Sequence, residues 1–231
     1  SQPIKLRRQA SAFLQISAGS EGQVANYLAG NDEALTALSS EQSAHEALRG
    51  LREKLKGEQG LVIIFGSEIR GDDIAALVNY GGTIPGAKFV GLADYANSRG
   101  AADMGLYPDL LPGYLPVSEG GAFAAEWDGL PDHTGLTIQG MAEAGKAGQL
   151  KGLYVVGANP VARFGIDPYS FADCFVVVQD MFLTETAAMA DVVLPASNAY
   201  EKTGTFTNTC GDLQLVKKAG EVSGSKSDFE M

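Results

Sequence analysis

Residues 175–214, FVVVQDMFLTETAAMADVVLPASNAYEKTGTFTNTCGDLQ, decide the fold. Phe175 to Val178 is an apolar run that predicts a buried parallel strand. Asp180 stands at its end, and Thr184-Glu185-Thr186 then opens a short helix. A second apolar run, Val192-Val193-Leu194, predicts another buried strand, stopped by Pro195, which has no N–H to give a ladder. A Gly- and Thr-rich turn from Glu201 to Asn208 follows. Strand, helix and strand in so short a span require a parallel sheet with crossover helices.

The same alternation extends upstream. Leu61 to Phe65 predicts a buried strand ending in Gly66-Ser67, Asp72 to Tyr80 a helix, and Lys88 to Leu92 a second strand. Thr137 to Ala147 predicts a helix and Gly152 to Val156 a further strand. The expected fold is α/β, a mostly parallel sheet with helices on both faces and a helical N-terminal lead-in. That lead-in comprises helices over Gly19 to Leu38 and Ser40 to Lys56. The second has Ser40 as cap, an Ala44, Leu48, Leu51 and Leu55 stripe, and Gly57 as stop. The segments expected are 1–59, an arm and helices packing on the main domain; 60–219, the α/β domain; and 220–231, a frayed polar tail. Ala93 to Leu150 reads as mostly loop, and its aromatic stretch Leu106 to Trp127 needs cover from its own domain or another subunit.

Composition narrows the function classes. At 231 residues the chain can bury a sizeable core. A net charge of −11 argues against nucleic acid, whose phosphates need a basic face. No apolar run reaches the length of a bilayer span, so direct membrane insertion is not expected. No secretory leader is recognisable, and two distant cysteines make no disulfide framework, so a cytosolic setting is expected. The small basic groups Lys5-Arg7-Arg8 and Lys217-Lys218 read as solvated faces or as docking points for neighbouring subunits.

Candidate site residues sit where strands end, since ligands of open α/β sheets lie at carboxyl ends. In Val155-Val156-Gly157-Ala158-Asn159-Pro160, Gly157 permits close backbone approach, Asn159 brings amide groups and Pro160 fixes the exit. A turn selected for geometry alone explains the same letters. Gly66-Ser67-Glu68 closes the first strand in a similar way, without a G-x-G-x-x-G spacing or a Walker lysine. Thr184 as a cap and Glu185 in a first turn are accounted for by helix starts, without a catalytic carboxylate. Asp191 and Glu201 read likewise as turn and cap residues. Cys174 reads as a small apolar filler and Cys210 as more exposed, and neither has a second cysteine at ligand spacing. His45 and His133 stand apart, and no nucleophilic triad is evident. No catalytic or metal-ligating residue is assigned.

The order of parts resembles the molybdopterin oxidoreductase family, whose pattern reads roughly D-x-x-x-T-E-T-A-x-x-A-D-V-V-L-P … E-x-x-G-T-x-x-N. Asp180, Thr184 to Ala187, Ala190 to Pro195, Glu201, Gly204, Thr205 and Asn208 match it. In that family a G-x-N-P turn contacts the guanine end of a molybdopterin cofactor. The resemblance therefore marks Gly66, Ser67, Gly157, Asn159, Pro160, Asp180, Thr184 and Glu185 as vestigial cofactor positions. The usual N-T-E-G-R-x-Q is altered, with Cys210 in place of Glu and Asp212 in place of Arg. A further run, Asn97, Gly100, Asp103, Gly105 and Pro108 with Pro112-Gly113, is similar to the large iron–sulfur subunits of bacterial NADH-quinone oxidoreductases, the respiratory complex I type. That resemblance implies a fragment of a longer parent that passes electrons through iron–sulfur clusters from NADH to quinone. The portion in hand would be a docking module without cofactor. Its partners would be other subunits of the complex's peripheral arm, on the cytoplasmic side. The alternative it leaves open is a fragment of a formate dehydrogenase or nitrate reductase that binds molybdopterin guanine dinucleotide.

Overall fold

The computed structural model describes residues 5–38, 42–222, 224 and 226–231. The chain divides into two compact units, Ser1–Asp94 and Tyr95–Met231.

In the first unit a 3-10 turn, Lys5–Arg8, precedes helices α1 (Glu21–Leu28), α2 (Glu33–Leu38) and α3 (Gln42–Leu55). The helix expected over Gly19 to Leu38 is thus two. Gly30, with φ of 117°, takes a conformation that no helix interior accepts, and Asn31 caps the restart by accepting from the Glu33 N–H at 3.0 Å. The expected Ser40 cap of α3 lies outside the described residues. Strand β1 (Val62–Gly66), helix α4 (Asp72–Gly82) and strand β2 (Lys88–Leu92) complete the unit, β1 pairing with β2 in parallel from Val62 opposite Lys88 to Gly66 opposite Leu92. Ala76, Tyr80 and Ile84 form its core with Ala25 of α1 and Ile63 of β1. α1 crosses α4 at Gly22, where a Cβ would fall 1.9 Å from Asp73 Oδ1.

The second unit holds α5 (Ser98–Asp103), a two-residue hairpin β3 (Leu110–Leu111) and β4 (Leu115–Pro116), a 3-10 stretch Val117–Phe123, and α6 (Ile138–Lys146). The segment read as loop therefore carries a helix and a hairpin; Leu111 and Val117 of its aromatic stretch are buried, while Leu106, Tyr107, Tyr114 and Trp127 stay exposed. Next come β5 (Gly152–Val156), α7 (Pro160–Phe164), a 3-10 turn Pro168–Phe171, β6 (Phe175–Asp180), α8 (Glu185–Ala188) and β7 (Val192–Pro195). β5, β6 and β7 form a parallel sheet in that order, with β6 central. An antiparallel hairpin, β8 (Gly204–Thr207) and β9 (Leu213–Val216), follows.

The α/β class with parallel sheets is what the chain has, β1 and β2 pairing in the first unit and β5, β6 and β7 in the second. Among the described residues, the side chains of one face of each sheet pack against helices, and several of the other are exposed. Val176 and Val178 are buried with Ala142 of α6, Phe171 and Ala187 of α8, each large side chain contributing about 1.5–3 kcal/mol by burial. Phe175, Tyr154 and Val156, on the opposite face, are exposed, as are Val192 and Val193 of the run expected to be buried. In β1 the alternation is the same: Ile63 is packed, whereas Val62 and Ile64 are 51% and 62% exposed.

The tail expected to fray is instead hydrogen-bonded. Ser197 N–H donates to the Lys226 carbonyl at 3.0 Å, and Gln179 Nε2 donates to Asp228 Oδ1 at 2.7 Å. The cause is Gln179, a polar side chain 2% exposed within an apolar strand, which needs partners.

Candidate functional site

The carboxyl ends of β5 and β6 bring six of the eight positions singled out by sequence into one neighbourhood. Gly157 turns the chain out of β5 with φ of 59°, and its N–H still donates to the Gln179 carbonyl at 2.8 Å, so the turn stays tied to β6. Asn159 then precedes Pro160, the first residue of α7, where a missing N–H costs nothing. On the neighbouring strand, Asp180 Oδ1 accepts from the Phe182 N–H at 3.1 Å, a local turn that redirects the chain. Thr184 caps α8, its Oγ1 accepting from the Ala187 N–H at 3.2 Å.

Asn159 does not cap its own helix; its carboxamide reaches across to α8. Nδ2 donates to Glu185 Oε2 at 2.7 Å, while Oδ1 accepts from the Thr186 hydroxyl at 2.8 Å and the Thr186 N–H at 3.3 Å. Thr186, 1% exposed, accepts in turn from the Val161 N–H at 3.3 Å. The two helix starts are thus joined by one amide and one hydroxyl. Donation from Asn159 holds the exposed Glu185 carboxyl below the usual carboxylate range.

Gly66 and Ser67 lie in the first unit. Ser67 at the end of β1 donates its hydroxyl to Asp94 Oδ1 at 2.6 Å, and its carbonyl accepts from Arg70 Nε at 2.7 Å.

The second motif block is also held internally. Asn198 N–H donates to Glu201 Oε2 at 2.8 Å, and Asn208 grips Asp212, its Oδ1 accepting from the Asp212 N–H at 2.9 Å and its Nδ2 donating to Asp212 Oδ2 at 3.0 Å. Asn97 Oδ1 accepts from the Thr207 N–H at 2.9 Å, and Arg99 donates to the Thr209 carbonyl at 2.9 Å. Gly105, with φ of 72°, lies so near the hairpin that a Cβ would meet the Leu111 carbonyl carbon at 2.4 Å. Asp191 Oδ2 accepts from the Val176 N–H at 2.7 Å, a strand-start role. Cys174 is buried and directs its thiol to the Leu150 carbonyl; Cys210 is exposed. Among the described residues no group of three or more His, Cys, Asp or Glu is arranged to hold a metal.

Sequence reasoning missed two residues. Thr186 is the buried joint of the strand-end cluster, and its signal was a second Thr beside a cap that needs only one. Gln179 anchors the tail, and its signal was an amide inside an apolar run.

The family model described as Molybdopterin oxidoreductase matches residues 15–231. The chain is 31% identical over 252 aligned positions to an NADH-quinone oxidoreductase subunit of Rhizobium meliloti (the second G-type subunit of that organism), covering 95% of this chain and 29% of that protein. It is 45% identical over 135 positions to the F420-dependent formate dehydrogenase subunit alpha of Methanocaldococcus jannaschii, covering 55% of this chain and 20% of that one. It is 33% identical over 209 positions to the NADPH-Fe(3+) oxidoreductase subunit alpha of Geobacter sulfurreducens, covering 80% and 23%. The chain thus spans less than a third of the length of each of these relatives. With strand-end turns and motif blocks placed as described, and with the family match running over nearly its whole length, the chain belongs to the molybdopterin oxidoreductase family.

Proposed function

We propose that this chain is the cofactor-free structural and docking portion of an iron–sulfur subunit of the NADH-quinone oxidoreductase type. Its parent complex would carry electrons from NADH through iron–sulfur clusters to quinone, with this portion in the peripheral arm on the cytoplasmic side, against other subunits. The observation that carries the reading is the inward use of the strand-end donors. A pterin dinucleotide is anionic and needs donors or cations aimed outward at the tips. The Asn159 carboxamide is instead engaged with Glu185 and Thr186, and Asp212 occupies a position where the family pattern has a base. An anionic ligand there would meet the Glu185 carboxylate, whose titration the Asn159 hydrogen bond lowers further. These residues do not fit a molybdopterin guanine dinucleotide, and no chemical step is assigned to them. The relative of NADH-quinone oxidoreductase type aligns over 95% of the chain.

The alternative, a cofactor-binding fragment of a formate dehydrogenase type, is favoured by the higher local identity of 45%. Calorimetric titration with GDP separates the two, supported by molybdenum analysis of protein made in a host that synthesises the cofactor. The docking reading expects no saturable heat and no molybdenum. Saturable binding that is lost on Asp180→Ala would overturn it.

A further inference from the structure

We propose that a cavity in the first unit, between α3 and the turns before β1 and after α4, binds a small monocarboxylate with an apolar body, its charged group taken by Arg49 and the Tyr80 hydroxyl. This goes beyond the docking reading and does not depend on it, since the strand-end positions of the second unit play no part.

The cavity has a volume of about 840 Å³, the size class of small-molecule sites, and α1, α3, α4 and the two turns all contribute to its lining. The turns are tied to each other where the Gly60 N–H donates to the Pro85 carbonyl at 2.9 Å. Leu28, Leu55, Ile84 and Pro85 supply an apolar wall, and Arg49, Arg52 and Lys56 bring three cations to it. Two of those cations are already engaged. Arg52 Nη1 meets Asp32 Oδ1 at 2.5 Å, and its guanidinium lies 4.9 Å from the centre of the Tyr27 ring. Lys56 Nζ lies 3.8 Å from Glu53 Oε1. Arg49 makes no ion pair among the described residues.

Tyr80 lacks a partner as well. It is 6% exposed, and its hydroxyl is buried with no hydrogen-bond partner among the described residues. Burial pushes the Tyr80 phenol up, so the hydroxyl keeps its proton and stays a donor. A buried donor without an acceptor is costly and uncommon in a folded protein. One cavity therefore carries an unpaired cation and an unsatisfied phenol, and a carboxylate is the small group that accepts from both. Glu53 and Glu58 also line the cavity, and they repel any second negative charge on the ligand. The apolar wall takes the hydrocarbon remainder.

The test is a backbone-amide NMR titration of the isotope-labelled full chain with cinnamate and with its uncharged counterpart cinnamamide. The amides of Gly57, Glu58, Thr83 and Ile84 should shift saturably with cinnamate, and cinnamamide should bind about tenfold more weakly. Arg49→Gln, at an exposed position, should weaken cinnamate about tenfold and leave cinnamamide unchanged. Tyr80→Phe should also weaken cinnamate about tenfold, yet leave the unfolding midpoint of the ligand-free chain the same or higher, because no hydrogen bond is lost. Absence of saturable shifts at these amides, equal affinity for acid and amide, or full cinnamate affinity in either folded variant overturns the proposal. Shifts at exposed strand residues such as Ile64 in place of the cavity amides mean adsorption to the sheet face and overturn it too.

Discussion

Asn159 joins two helix starts through a single carboxamide, and the consequences are specific to that side chain. Asn159→Ala leaves Thr186, almost fully buried, with one partner fewer, and is expected to lower stability by about 1–3 kcal/mol in urea unfolding. The same variant removes the N–H that lowers the Glu185 pKa. Because the folded carboxyl titrates below its unfolded value, its contribution is present above the unfolded pKa and disappears as pH falls through the folded one. In Asn159→Ala the Glu185 titration, followed by carboxyl-carbon NMR, should move up toward ordinary glutamates; an unmoved midpoint would show that the amide is not the cause. At this scale the sequence located the positions but not the partners. Asn159, Thr184 and Glu185 were legible as strand-end and helix-start letters. That Thr186 rather than Thr184 meets Asn159 depends on which face of a four-residue helix turns toward β5, a tertiary fact.

Elements were legible where a local pattern sufficed. α6 falls within the helix expected over Thr137 to Ala147, with Thr137 as its cap accepting from the Gly140 N–H at 3.2 Å, and β2 and β5 have the limits their apolar runs predict. Cover was not legible, because an apolar run reads the same whether one face or two are packed. Two glycines separate propensity from packing. Gly50 lies within α3 with open space around its missing Cβ, so Gly50→Ala should stabilise the chain by up to about 1 kcal/mol. Gly145, in α6, lies where a Cβ would come within 2.3 Å of the Ser170 carbonyl oxygen, so Gly145→Ala should destabilise it by about 1–3 kcal/mol despite the same gain in propensity. Thermal unfolding of the two variants checks both signs, and equal shifts would contradict the close approach of α6 to the 3-10 turn.

For the whole molecule, two uncovered apolar sheet faces are combined with a net charge of −11. Parallel sheets are ordinarily covered on both sides, so exposed apolar faces of this kind are expected to take up apolar molecules. The purified chain is expected to bind an environment-sensitive apolar dye. Changing Val62 and Ile64 to Thr should reduce that signal while shifting the unfolding midpoint little, since both side chains are more than half exposed. Unaltered dye binding would place the accessible apolar surface elsewhere. Which strands pair within each unit was beyond the reach of local pattern. Which distant strands pair is decided by contacts across long stretches of chain, not by the letters of either strand.

The clasp of Asn97 and Arg99 on Thr207 and Thr209 spans 110 residues of sequence on each bond. Two signature blocks that look independent on paper are therefore one mechanical part. Gene-segment exchange with a homologue should yield soluble hybrids when both blocks come from the same parent. Hybrids whose crossover falls between them should misassemble, whatever their overall identity.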